Sequence, residues 1–188
     1  KTNVTPHFFY REGSPTTVNE RFVNEESRLV NEKTKVYLKK YFGIYRINEE
    51  PLLKELEAEI AASLREIIPM YDIVLVTDYG LGMIGDELIN VICAKSGYLG
   101  VNTQTNSINY GFNLVTKYPR ADYVSISLPE IQLALHDKNS SVQHLAIEVA
   151  DKVHVKTVTV TLGALGAYIH DRSGDDAHIP VLSTNVID

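Results

Sequence analysis

The most regular pattern in the chain is a four-residue recurrence of apolar positions, Leu52, Leu56, Ile60 and Leu64, flanked by Leu53, Ile67 and Ile68. That spacing predicts an amphipathic helix. Asn48 is placed to cap it, Glu49, Glu50 and Pro51 to fill its first turn, and Pro69 to end it. Tyr71 to Thr77 is a nearly continuous apolar run, the pattern of a parallel strand covered on both faces. A helix is predicted from about Gly85 to Ser96, with Leu88, Ile89, Ile92 and Cys93 on one face and Gly97 as its stop. Tyr98 to Val101 then reads as a short strand that leads into the polar run Asn102 to Asn106, and Tyr123 to Ile126 as a further strand. Pro129 to His136 reads as a helix, and Ser140 or Ser141 caps another that carries Val142, Leu145, Ala146, Val149, Ala150 and Val153 on one stripe.

Lys156 to Asp171 closes the series. Thr157 to Thr161 alternates β-branched residues, Gly163 and Gly166 mark a turn, and Ala167 to His170 resumes an extended pattern. Glycines there serve positive φ in a hairpin-like turn, or leave backbone N–H groups open to an anionic ligand. Upstream, Thr16 to Val23 and Val36 to Ile47 read as two antiparallel strands, joined across the surface by the charged segment Asn24 to Lys35.

From Asp72 onward strands and helices alternate, which predicts an α/β fold with an open, mostly parallel sheet and helices on both faces. A small antiparallel β segment precedes it. In such sheets ligands sit beyond the carboxyl ends of the strands. Asp78, Asn102 to Asn106, Ser127 to Glu130 and Thr161 to Gly166 all fall on that rim. Asp78 either accepts a hydrogen bond from a hydroxylated ligand or holds its own turn together, and Glu130 suits a helix start with or without a metal.

Composition narrows the classes. The 188 residues, 44% hydrophobic and 22% charged, suit one globular domain, and no apolar run approaches the roughly 20 residues of a membrane span. A net charge of −6 offers no broad footprint for nucleic acid. The local cluster Lys33, Lys35, Lys39 and Lys40 reads as a solvated face. The single cysteine, Cys93, forms no internal disulfide, suits a cytoplasmic protein and reads as a core residue. His136, His144 and His154 read as surface or helix-flank residues, and no zinc-ligand spacing, P-loop or nucleophile elbow is present. Gly80, Gly82 and Gly85 match the letters of a dinucleotide fingerprint but lie deep in the chain without the acidic ribose partner.

These motifs resemble the PfkB-type (ribokinase-like) carbohydrate kinases, with the heptose-phosphate kinase domain of ADP-heptose synthesis proteins as the nearest subgroup. Leu75 to Gly82 (LVTDYGLG) resembles the strand that ends in Ser-Asp-Tyr-Gly-Lys-Gly, and Val160 to Gly166 (VTLGALG) resembles the nucleotide-binding turn Val-Thr-Leu-Gly-x-x-Gly. Residues from about 14 to 48 resemble the β lid, and about 49–188 the α/β core, of a single partial domain. The resemblance implies ATP and Mg2+ as cofactors and a sugar or sugar phosphate as substrate. It places Thr161, Gly163 and Gly166 at the nucleotide, Asp78 at the substrate, and Glu130 on the metal through water. It also implies a homodimer through the lid.

Departures accompany the likeness. Leu81 replaces a lysine, and Ser127 replaces the asparagine of an Asn-x-x-Glu motif. Asp188 aligns with the first aspartate of the catalytic motif, so the catalytic base is expected beyond it and the chain is expected to be an inactive internal fragment of a kinase. The alternative is a nucleotide- or sugar-binding regulatory module, without catalysis, in a larger nucleotidyltransferase-type protein.

Overall fold

A computed structural model describes residues 3–30, 33–106 and 109–181, with the backbone alone for 28–30 and 33–37. The expectations for Asp188 and for the Lys33 and Lys35 side chains lie outside the described residues. Two compact units are built on Gly13–Asn48 and on Lys1–Glu12 with Glu49–Val181. The first is an antiparallel hairpin of β1 (Val18–Val30) and β2 (Lys33–Arg46), in register from Val18 opposite Arg46 to Val30 opposite Lys33. A bulge at Tyr41 shifts the pairing between Phe22 and Val23.

Asn24 to Lys35 corrects the expectation of a surface connection, because β1 runs on to Val30 and β2 begins at Lys33. Among the described residues the ribbon has two strands and its side chains are mostly exposed, so charged residues meet no burial cost and pairing continues through them. Exposed Lys39 and Lys40 lie in β2, their ammonium groups 6.0 and 5.8 Å from the Tyr41 and Tyr45 ring centres.

The second unit carries α1 (Lys54–Ile67), β3 (Ile73–Asp78), α2 (Asp86–Lys95), β4 (Tyr98–Thr103), β5 (Tyr123–Ser127), α3 (Leu128–Leu135), α4 (Val142–Val153), β6 (Thr157–Thr161), β7 (Ala167–Asp171) and β8 (Ala177–Ile179). The six strands lie in sequence order; β3 to β6 are parallel, and β7 and β8 follow antiparallel. The architecture is therefore α/β: a mostly parallel sheet with helices, preceded in the chain by an antiparallel hairpin. The core gathers Val124, Ile126, Val158 and Val160 from the strands with Leu145, Val149 and Val153 from α4.

Two boundaries differ from the sequence expectation. Helix α1 starts at Lys54, with Leu53 in the cap position, not near Asn48. Arg11 explains the delay, since its guanidinium donates to the carbonyls of Glu50 and Pro51 at 2.8 and 3.2 Å and holds them out of a helical turn. Strand β4 continues through Asn102 and Thr103, which pair with Thr77 and Asp78. Helix α2 ends as expected, with Ser96 as its cap, the Ser96 hydroxyl donating to Ile92 O at 2.7 Å, and Gly97 directly after it.

Among the described residues strand β3 is the sheet's edge and not a strand covered on both faces. Val76 and Asp78 are buried, whereas Ile73 and Leu75 are 59% and 72% exposed. A continuous apolar run does not separate an edge strand from a central one. Cys93 lies buried in α2, its thiol pushed up by burial, as a core residue would be. No helix among the described residues is long and apolar enough to cross a membrane.

Candidate functional site

Because β3 to β6 are parallel, their carboxyl ends share one rim, and the four turns singled out in the sequence stand there side by side. Backbone and side-chain bonds join them. The N–H of Gln104 donates to Asp78 O at 2.8 Å, and the next N–H, of Thr105, donates to Glu130 Oε1 at 2.9 Å. Glu130 Oε2 accepts from the Ser127 N–H at 2.9 Å and from its hydroxyl at 2.6 Å. Ser127 in turn pairs with Thr161 across β5 and β6. A continuous path of contacts thus runs from Asp78 through Glu130 to Thr161.

Glu130 occupies the third position of α3, where Ser127 is the cap and the two form a capping box. One carboxylate therefore ties a helix start to the turn after β4. Of about four acceptor positions on a carboxylate, three are taken. The fourth, on Oε1, fits a water-mediated contact to a cation. No group of three metal-ligating side chains occurs among the described residues.

Asp78 is 3% exposed, and both of its carboxylate oxygens are engaged. Its Oδ1 accepts the Gly80 N–H at 2.9 Å, which fixes the turn, while Oδ2 accepts the Tyr118 hydroxyl at 2.8 Å and meets Lys117 Nζ at 2.6 Å. Burial, with the charge and hydrogen bond of Asp78, holds the Tyr118 phenol far above its ordinary range. Lys117 also donates to Asn113 Oδ1 at 2.8 Å, and Asn113 Nδ2 donates to Asp78 O and Gln104 O. Asn109 Nδ2 donates to Tyr79 O and Gly80 O.

Above Asp78 opens a cleft of about 420 Å³, lined also by Glu49, Gly82, Ile84, Phe112, Asn113 and Lys117. Its shape depends on two glycines. Gly80 and Gly82 have φ of 65° and 73°, and a Cβ would overlap the Asn109 amide at the first and the Glu50 carbonyl at the second.

Sequence reasoning missed Lys117, Tyr118, Asn109 and Asn113. They lie between β4 and β5 in a stretch with no helical or strand period, where, among the described residues, only a short 3₁₀ turn forms at Val115–Lys117. The spacing of Asn109, Asn113 and Lys117 was the available signal, and no regular element stood behind it.

At the far end of the path, β6 and β7 are joined by a 3₁₀ turn over Gly163–Leu165, closed by the bond from Leu162 N–H to Gly166 O at 2.8 Å. Gly163 has φ 57° and open space where a Cβ would project; Thr161 is exposed beside it. Gly166, at φ 91°, lies against the Ile179 carbonyl. The turn thus presents Thr161 and Gly163 to solvent and packs Gly166 inward.

Solved structures share this fold. The tetrameric inhibited form of phosphofructokinase-2 from Escherichia coli superposes with a TM-score of 0.56 at 14% identity, over 86% of this chain and 52% of that one. The same enzyme in complex with fructose-6-phosphate gives 0.54 at 16%, over 82% and 49%, and the protein Sa239 gives 0.54 at 17%, over 90% and 51%. The fold is ribokinase-like. At these identities the likeness is one of fold, and the chain spans about half the length of the structures it matches. No protein-family model and no curated protein matches the sequence.

Proposed function

We propose that the chain is part of an ATP-dependent, PfkB-type sugar kinase domain. The sugar lies at the Asp78 cleft and the nucleotide against Thr161, Gly163 and Gly166, with magnesium held by Glu130 through water. The path of contacts from Asp78 through Glu130 to Thr161 supports this reading, because it joins the three residues to which we give these roles along one rim of the sheet. When bound, ATP supplies the phosphoryl group and magnesium offsets its charge. The residues of this chain position both ends: the Gly163 turn leaves its backbone approachable, and the Asp78 network holds the cleft walls. Among sugars, a heptose phosphate is the substrate we favour, which would put the parent protein in ADP-heptose synthesis. The exposed stack of Phe22 on Phe42, with ring centres 4.4 Å apart, supports pairing of two copies through the hairpin.

Titration of the isotope-labelled chain with Mg-ATP tests the nucleotide end. Amide shifts at Gly163 and Gly166, lost on Gly163→Val, are expected; a turn indifferent to Mg-ATP overturns the reading.

A module that binds without catalysis is the second reading. It is favoured by the engagement of both Asp78 oxygens and three of the four acceptor positions of Glu130 within the fold. Sugar-dependent release of ADP, followed in a coupled assay on the full-length parent protein, distinguishes the two.

A further inference from the structure

The hydrogen-bonding capacity of the Asp78 cleft is almost used up, and what remains is informative. Both protons of the Asn113 amide go to Asp78 O and Gln104 O, and its oxygen accepts from Lys117. The Asn109 amide donates to Tyr79 O and Gly80 O, and its oxygen accepts the Asn106 N–H. Lys117 has three donor protons. Two meet Asp78 Oδ2 and Asn113 Oδ1, leaving one at a side chain that is 28% exposed and lines the cleft.

On the other wall, Glu49 is exposed and has no hydrogen-bond partner among the described residues. The backbone of Gly82 lies close against the Glu49 and Glu50 carbonyls, so this wall has a fixed place. Phe112 stands at the lining with 88% of its surface exposed. The unspent groups are thus one donor, one acceptor and an apolar ring. Two carboxylates, Asp78 and Glu49, outweigh the single Lys117 cation, so the field disfavours an anion.

We infer that the cleft holds the uncharged, hydroxyl-bearing ring of its ligand: Lys117 donates to a ligand oxygen, Glu49 accepts from a hydroxyl and Phe112 covers an apolar ring face. Any phosphate on that ligand lies outside the cleft. This rests on reading the Asp78 end of the rim as the sugar end. It adds which part of the sugar is read there and which side chains read it.

The test uses the labelled full chain, with D-mannose, D-fructose and inorganic phosphate as probes and the Gly80, Gly82 and Asn113 amide signals as the readout. At least one of the neutral sugars moves these signals, and phosphate does not. Glu49→Gln, an exposed substitution that leaves the fold intact, weakens that sugar about tenfold through loss of a charge-assisted hydrogen bond. Phe112→Ala weakens it too. The inference is overturned if phosphate moves the cleft signals more than either sugar, if neither sugar moves them, or if Glu49→Gln leaves affinity unchanged. Shifts at Gly163 with Mg-ATP but none at Gly80 with sugar would defeat this inference alone. Sugar shifts without nucleotide shifts would defeat the kinase reading alone.

Discussion

Gly166 and the carbonyl oxygen of Ile179 are in such close approach that a Cβ at position 166 would overlap the oxygen, whereas a Cβ at Gly163, three residues earlier, would meet nothing within 4 Å. The two glycines of one motif therefore have different reasons to be glycine. Gly166→Ala adds a backbone clash to a φ of 91° and should cost about 2–4 kcal/mol. Gly163→Ala meets only the cost of positive φ, about 1–2 kcal/mol. Urea unfolding of the two variants checks the order, and equal losses would contradict the packing described for β8.

Asp78 should behave as the keystone of the cleft. Tyr118→Phe removes one hydrogen bond to a buried carboxylate and should cost about 1.5–3 kcal/mol. Asp78→Ala, which strands the Lys117 ammonium and the Tyr118 hydroxyl together, should cost about 3–5 kcal/mol. Lys117 is partly exposed, so Lys117→Met should cost less than Asp78→Ala. A double-mutant cycle between Asp78→Asn and Lys117→Met reads their coupling directly. Additive losses would mean that the 2.6 Å pair contributes nothing to stability.

Much of this was legible in the sequence because the strand and helix periods of β3, α2, β4, β5, α3, α4 and β6 are each clear from Ile73 to Thr161, the stretch between β4 and β5 apart. Parallel order alone puts Asp78, Glu130 and Thr161 on one rim, so the sequence located that rim without knowing any contact. What it did not reveal depends on contacts distant in the chain. Arg11 delays α1 by reaching across to Glu50, 39 residues away, and Lys117 reaches Asp78 from a loop without a period. The apolar run of β3 carries the composition of a buried strand although it lies at an edge, and composition does not encode neighbours. The charged half of the β1–β2 hairpin reads as a loop for the converse reason: its pairing needs no buried face.

Glu130 allows a test that separates carboxylate from shape. Its two oxygens accept from the backbone N–H groups of Thr105 and Ser127, one on each side. Glutamine has the same outline but a single acceptor oxygen, so its NH2 group would face one of those donors. Glu130→Gln should therefore destabilise by about 1–3 kcal/mol, nearly as much as Glu130→Ala. Ser127→Ala, which loses only the capping hydroxyl, should cost about 1 kcal/mol. Thermal unfolding ranks the three, and a neutral Glu130→Gln would mean that the link between the β4 turn and α3 is not formed in solution.

Tyr168 sets an alkaline limit on stability. Its ring is buried in β7, and its hydroxyl donates to Asp176 Oδ2 at 2.6 Å. Burial first, then the hydrogen bond and charge of Asp176, push the phenol up to about 12. An unfolded tyrosine titrates near 10, so the folded state favours the protonated phenol. That advantage is complete below about pH 10 and disappears as pH rises from there to about 12. The same bond, followed by the Asp171 N–H and then His170, lowers the Asp176 carboxyl, whose contribution is present at neutral pH and lost in acid. Tyr168→Phe removes the phenol and with it the alkaline slope. Unfolding midpoints of the wild type and the variant, measured in urea across this range, should draw together as pH rises above about 10. A gap that stays constant to pH 12 would mean that the phenol keeps its ordinary titration in the folded chain.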